Sequence, residues 1–327
     1  MITIAGAGLA GLATAYELLQ RGARVTLYER GTGPGAASVA RYAGGMLAPW
    51  CEGESAEAEV VSLGARAADW WETITPVSRR GSLVVAPPRD HAELSRFARR
   101  TEAHRVLDGA AIADLEPALA GRFSSGLFFQ SEAHLDPRRA LQDLSAAITA
   151  MGGEIRYDTQ APAEVDLNCT GMAAALPGLR PVRGEMAILH CAEVDISRTL
   201  RLLHPRIPLY LVPRGDQHFM IGATMVESHS TRAPTLRSVN ELLSAAFALH
   251  PAFGEASVVE LGAGLRPAFG DNLPRLIEHD GRLHLNGLYR HGFLLAPAMA
   301  QRAARRLMPQ PEPQPELQPQ PENGASA

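Results

Sequence analysis

Gly6, Gly8 and Gly11 form a G-x-G-x-x-G run, and Glu29 follows 18 residues after the last glycine. This set can hold a dinucleotide. The first glycine permits a tight turn, the second lets backbone reach a pyrophosphate, and the third lets a helix pack close on a strand. The start of that helix offers N–H groups and the positive end of a dipole to the phosphates. A carboxylate ending the next strand accepts hydrogen bonds from ribose hydroxyls and repels a 2′-phosphate. The run serves FAD and NAD alike, so an NAD-dependent dehydrogenase also fits at this point.

Other chemistry is excluded by composition. Among 327 residues, all 31 cationic side chains are Arg and none is Lys, against 35 Asp and Glu. No lysine can form a Schiff base or hold a triphosphate. Anions must be held by Arg, backbone N–H groups or helix N-termini. A net charge of -4 does not suggest nucleic acid. Cys51, Cys169 and Cys191 are scattered, with no C-x-x-C. That argues against a disulfide framework or a metal site and suits a reducing compartment, so a cytoplasmic location is expected. No signal peptide is read, and no run reaches the ~18 apolar residues of a membrane span. There is no G-x-S-x-G or H-E-x-x-H.

The elements that must position the glycines follow from periodicity. Ile2 and Ile4 begin a strand. Leu9, Leu12, Ala13, Tyr16 and Leu19 share a helical face, with Glu17, Gln20 and Arg21 opposite. Gly22 ends that helix, and Arg24–Glu29 is the next strand, giving a right-handed β-α-β unit. Further helices are expected over 56–74, 90–105, 236–249 and 297–307. Asp136-Pro137 is a helix start, and Leu141, Leu144, Ile148 and Met151 face inward behind it. In 236–249 the inward set is Val239, Leu242, Leu243, Ala246 and Phe247. Residues 181–226 read as antiparallel strands with a hairpin across Arg214-Gly215-Asp216. Strands near 257–265 and 282–286 are expected to return to the parallel sheet. The tail, 309–327, alternates Pro, Gln and Glu and is expected to be disordered.

The order of segments carries a resemblance. Behind the glycine run come Ala43-Gly44-Gly45-Met46-Leu47-Ala48-Pro49 and Asn168-Cys169-Thr170-Gly171. Later stand Gly264-Leu265-Arg266-Pro267 and Gly287-Leu288-Tyr289-Arg290-His291-Gly292-Phe293-Leu294-Leu295-Ala296-Pro297. Together, over residues 1–308, these resemble the FAD-dependent amino-acid oxidases of the D-amino-acid oxidase family, and within it the glycine oxidases of thiamine biosynthesis. One departure is that only about eight residues, 158–165, stand where relatives carry a β-meander.

The resemblance implies a mixed α/β fold. A Rossmann-like FAD domain (1–80, 132–180 and 255–308) would sit beneath an antiparallel substrate domain (81–131 and 181–254). It implies non-covalent FAD, since the chain has no Lys and its last cysteine is Cys191. Gly6, Ala7, Gly8, Leu9, Ala10 and Gly11 would hold the pyrophosphate, and Glu29 the ribose. Arg30 and Ser38 belong to the same cofactor set. Gly44, Gly45 and Met46 would lie along the flavin ring, and Thr170 and Gly171 beside it. Arg290, His291, Gly292, Phe293, Leu294 and Leu295 would approach its pyrimidine side.

Arg266 resembles the arginine that pairs with the substrate carboxylate, assisted by Tyr210, with Arg290 a second cation and Met225 limiting side-chain room. A planar guanidinium fork suits a carboxylate. No side chain is assigned as acid or base, because flavin N5 takes the hydride and the protein orients the substrate. Glycine, or a small relative such as sarcosine or D-alanine, would give an imine and H2O2, with O2 as acceptor. The imine would pass to a thiazole synthase. A homo-oligomer is expected, with no nucleic-acid or membrane partner. A broader D-amino-acid oxidase or dehydrogenase, or a flavoprotein without turnover, remains open at this stage.

Overall fold

The computed structural model describes residues 1–204 and 209–309, so all but the first residue of the expected disordered tail lies outside it. Two large sheets organise the chain. The first has six strands, in the order Arg275–His279, Arg282–Asn286, Leu167–Asn168, Ile2–Ala5, Val25–Tyr28 and Glu154–Arg156. All neighbours are parallel except the edge pair 275–279 with 282–286. Parallel strands are covered on both faces, so most of their inner residues are apolar, with Thr26, His284 and Asn286 as buried polar exceptions. Ile4, Leu27 and Leu167 are fully buried here with Leu12, Leu18, Leu144 and Leu295 from the covering helices.

The helix Leu9–Gln20 is more enclosed than its amphipathic pattern predicts. Glu17, expected on the outer face, is buried. Its carboxylate accepts the Trp70 indole N–H at 2.7 Å and pairs with Arg21 at 3.5 Å. The helix Pro137–Ala150 starts as expected, with Asp136 accepting from the Arg138 and Arg139 N–H groups. Leu141, Leu144 and Ile148 are buried, but Met151 lies past the helix end and is exposed. The expected helix 56–74 is broken into Ala58–Gly64 and Ala67–Glu72.

The second sheet has nine strands and is built mainly of antiparallel pairs. Its spine is the pairing of Arg180–His190 with Ser257–Ala268 over nearly their full length. This corrects one expectation: strand 257–268 belongs to the antiparallel sheet, while 282–286 does join the parallel one. Strand Leu209–Pro213 pairs with His218–Gly222 as the predicted hairpin. Helix Leu236–Leu249 covers this sheet with Leu242, Ala245, Ala246 and Leu249, whereas Phe247 is exposed. No helix among the described residues is long and apolar enough to cross a membrane.

The last helix, Gly292–Leu307, begins five residues before the predicted 297 because Pro297 lies inside it. Proline has no N–H to give to the carbonyl four residues earlier. That carbonyl, Phe293 O, instead accepts the buried Trp71 indole N–H at 2.8 Å. Trp71→Phe strands the acceptor and should cost about 1–3 kcal/mol. Thermal unfolding of Trp71→Phe alone and combined with Pro297→Ala checks this. The second change returns a backbone donor, so part of the lost melting temperature should come back.

Candidate active site

A cavity of about 810 Å3 lies where the two sheets meet. That is within the ~300–1,000 Å3 usual for small-molecule and cofactor sites. Its floor is the glycine turn. Gly6 has φ +93°, and a Cβ there would sit 2.8 Å from Cys169 O. At Gly11 a Cβ would lie 1.9 Å from Gly6 O, so the helix can approach its strand only without a side chain. Gly8 is open to the cavity, with nothing nearer than Ser38 Oγ at 3.5 Å. Helix Leu9–Gln20 has no side-chain cap, and neither has helix Gly292–Leu307. The leading residues of both line the cavity. Their free N–H groups and dipole ends therefore face the same space.

Gly6, Gly8, Leu9, Ala10, Glu29, Arg30 and Ser38 line one part of this space. Glu29 Oε2 accepts the Ala7 N–H at 2.7 Å and Oε1 accepts the Gly31 N–H at 2.7 Å. Ala7 and Gly11 shape the turn without lining the cavity. The short segment after Tyr157 still reaches the cavity, through Thr159, Gln160, Ala161, Pro162 and Ala163. It is anchored by Thr159 N–H on Glu29 O and Asp158 N–H on Gly31 O.

Gly44, Gly45, Met46, Thr170 and Gly171 line the middle, and Arg290, His291, Gly292, Phe293 and Leu294 the facing wall. Leu295 is fully buried in the core and does not line the cavity. Asn286, not singled out in the sequence, ties two loops together. Its Nδ2 donates to Gly171 O and its Oδ1 accepts the Gly287 N–H.

The antiparallel sheet closes the other side with Tyr210 and Arg266. The Arg266 guanidinium lies on Gly184, where a Cβ would be 2.1 Å from Nη2. Among the described residues it makes one hydrogen bond, from Nη1 to Thr224 O at 3.1 Å, and pairs with no carboxylate. Tyr210 packs its ring edge within 3.0 Å of the position a Gly44 Cβ would take. Burial raises its phenol pKa, so it stays a neutral O–H donor.

The other two expected substrate residues differ in place: Arg290 lines the main cavity and Met225 does not. Arg290 is engaged with Glu52, Nη2 to Oε2 at 2.8 Å, and donates to Ser55 Oγ at 2.8 Å. Met225 is half-exposed and does not line the main cavity. It borders a second, neighbouring cavity of about 550 Å3, and its sulfur accepts from Tyr289 Oη and Arg290 Nη1.

Glu52 is the main residue that the sequence pattern did not show. It is buried, lines the main cavity and faces Arg290, His291 and Arg201, the last at 3.7 Å. Burial alone raises a carboxyl, but Arg290, His291 and Arg201 outweigh it and hold Glu52 at about 2. Burial lowers His291 to about 4, so it is neutral at pH 7. Its Nε2 accepts from Arg290 Nε at 3.4 Å, leaving Nδ1 beside Glu52 at 3.3 Å. Deeper still, burial raises the Glu132 carboxyl to about 7, and Glu132 accepts the Cys51 N–H at 2.7 Å.

Glu52→Gln leaves two arginines without their carboxylate and should cost about 3–5 kcal/mol. The carboxyl is depressed in the folded state, so its stabilisation is full above its ordinary value near 4.5 and disappears as pH falls toward 2. Melting curves of both proteins from pH 7 to pH 3 should therefore converge on the acid side.

A sequence model of the family described as FAD dependent oxidoreductase matches residues 1–306. The chain is 54% identical over 333 residues to a putative thiamine biosynthesis oxidoreductase ThiO of Rhizobium etli, covering 99% of each protein. It is 26% identical over 345 residues to a glycine oxidase of Pseudomonas putida, covering 92% of each. Its fold superposes on the crystal structure of glycine oxidase from Geobacillus kaustophilus with a TM-score of 0.79 at 23% identity, over 94% of each chain. The glycine turn, the two uncapped helix starts and the cavity between the sheets are thus those of a member of the FAD-dependent oxidoreductase family, to which this chain belongs.

Proposed function

We propose that the protein oxidatively deaminates glycine. Glycine, O2 and water give glyoxylate, ammonia and H2O2, by way of the imine. The observation that carries this reading is Arg266, a guanidinium facing the cofactor cavity with one backbone acceptor and no carboxylate partner among the described residues. A bidentate pair with a substrate carboxylate satisfies it. Tyr210 supplies a neutral hydroxyl donor beside it.

Bound FAD supplies the two-electron acceptor for the amine C–H bond and returns the electrons to O2. The chain holds it through the glycine turn, the Glu29 carboxylate, the segment Gly44–Met46 and the start of helix Gly292–Leu307. The N–H groups at that helix start favour negative charge on the ring they face. His291 is neutral and spent on Glu52 and Arg290, so its role is to shape the wall. We assign no side chain as acid or base.

Arg290 serves the cofactor wall in this reading, because Glu52 neutralises it. Met225 leaves the substrate side chain unguarded from its direction, which favours some tolerance of D-alanine. The likeness to a thiamine biosynthesis oxidoreductase supports delivery of the imine to a thiazole-forming synthase. Three buried free cysteines support a cytoplasmic location. Exposed Val258, Val259 and Leu261 on the long strand support self-association. We group the parallel sheet with its helices as the cofactor domain and the antiparallel sheet as the substrate domain.

Release of H2O2 from glycine, sarcosine and D-alanine by the FAD-loaded protein tests the reading, with glycine expected to lead. No peroxide from any of the three would overturn it. Arg266→Ala removes the carboxylate ligand and should cost about 2–5 kcal/mol of substrate binding, seen as a large rise in KM. The flavin content should be unchanged, and loss of flavin would show that the residue holds the cofactor instead.

A further inference from the structure

Both carboxylate ligands, Arg266 and Tyr210, stand on the antiparallel sheet. The cofactor-holding glycine turn stands on the parallel one. Substrate affinity is therefore set within one sheet, while the reaction also depends on how that sheet is fixed to the backbone that faces the cofactor. Arg214 ties the antiparallel sheet to the cavity-lining segment 43–45, which leads into the two-stranded pair of Met46–Leu47 with Ala133–His134.

It follows directly on the strand that carries Tyr210 and is buried, with a side chain only 9% exposed. Its Nη2 donates to Ala43 O at 3.0 Å and Gly44 O at 3.1 Å, and its Nη1 donates to Leu135 O at 3.3 Å. Asp136 is its nearest acid, at 4.0 Å. Gly45 O accepts the Leu135 N–H at 2.9 Å. Three successive carbonyls, 43 to 45, are thus drawn to one side. Gly44 and Gly45 line the cavity, and their N–H groups have no partner among the described residues. Unpaired backbone N–H groups of this kind are open to an acceptor in the cavity. The Tyr210 ring rests on the same glycine segment.

We infer that Arg214 is a positioning residue: it fixes the cofactor-facing segment 43–45 against the sheet that holds the substrate carboxylate. The inference rests on the oxidase reading for its kinetic consequence only. A guanidinium is suited to the task because its planar fork reaches several carbonyls at once, which a lysine ammonium cannot do in one geometry. Arg214→Met keeps length and packing but removes every donor. Arg266 and Tyr210 keep their sheet, so glycine should still bind while the reacting atoms lose their alignment.

The test uses the full chain saturated with FAD, wild type and Arg214→Met. Anaerobic stopped-flow reduction by glycine should show a limiting rate lower by about 100-fold, with the glycine Kd within about threefold of wild type. Visible circular dichroism of the bound flavin should also change, because the segment against the ring is no longer held. An unchanged rate and dichroism, or a loss confined to Kd, would overturn the inference. If Arg214→Met does not fold, Arg214→Lys carries the same test. Failure of both variants to bind FAD would also overturn it, by assigning Arg214 to cofactor retention. If wild type is not reduced by glycine, the oxidase reading has failed, and the dichroism still decides the role of Arg214.

Discussion

An unneutralised guanidinium at the edge of a partly buried cavity is costly unless something anionic completes it. Among the described residues, Arg266 is such a group. The chain carries 31 arginines, and many of those near the site are engaged. Arg290 and Arg201 face Glu52, Arg183 pairs with Glu185, and Arg214 is occupied by backbone carbonyls. Arg266 alone among these is given room by a glycine, Gly184, and only one backbone acceptor. The absence of lysine reinforces the arrangement, since planar guanidinium groups can share acceptors and carboxylates in fixed geometries.

The rest of the architecture follows from holding that cation near a cofactor. The parallel sheet supplies a rigid glycine turn and two helix starts aimed at one space. The antiparallel sheet supplies the cation and a hydroxyl. Long pairing between strands 180–190 and 257–268 makes the second sheet stiff enough to place Arg266. Glu52 neutralises two further cations beside the cavity, Arg201 and Arg290. It is held ionised despite burial because three groups converge on it.

Much of this was legible in the residues. The glycine turn, the strand ending at Glu29, the Asp136 helix start and the hairpin carrying Tyr210 each have local signatures, and each stands where expected. What is not legible has tertiary causes. The residues of strand 257–268 show a strand but not its partner, so its place in the antiparallel sheet is hidden. Pro297 reads as a helix boundary, whereas a distant Trp71 supplies the donor that lets the last helix start earlier. Glu52, Arg201 and Arg214 had no signature at all. A buried charge is recognised by what surrounds it, and their partners lie 30 or more positions away or come from other elements.

In the proposed function one cation, Arg266, holds the substrate carboxylate while Arg290 is withheld by Glu52. A crystal structure of the FAD-loaded protein with glycolate, a non-amine mimic of the substrate, tests it most directly. The glycolate carboxylate should lie on the Arg266 guanidinium and the Tyr210 hydroxyl, with the Arg290–Glu52 pair intact. A carboxylate bound to Arg290, with Glu52 displaced and Arg266 untouched, would contradict it.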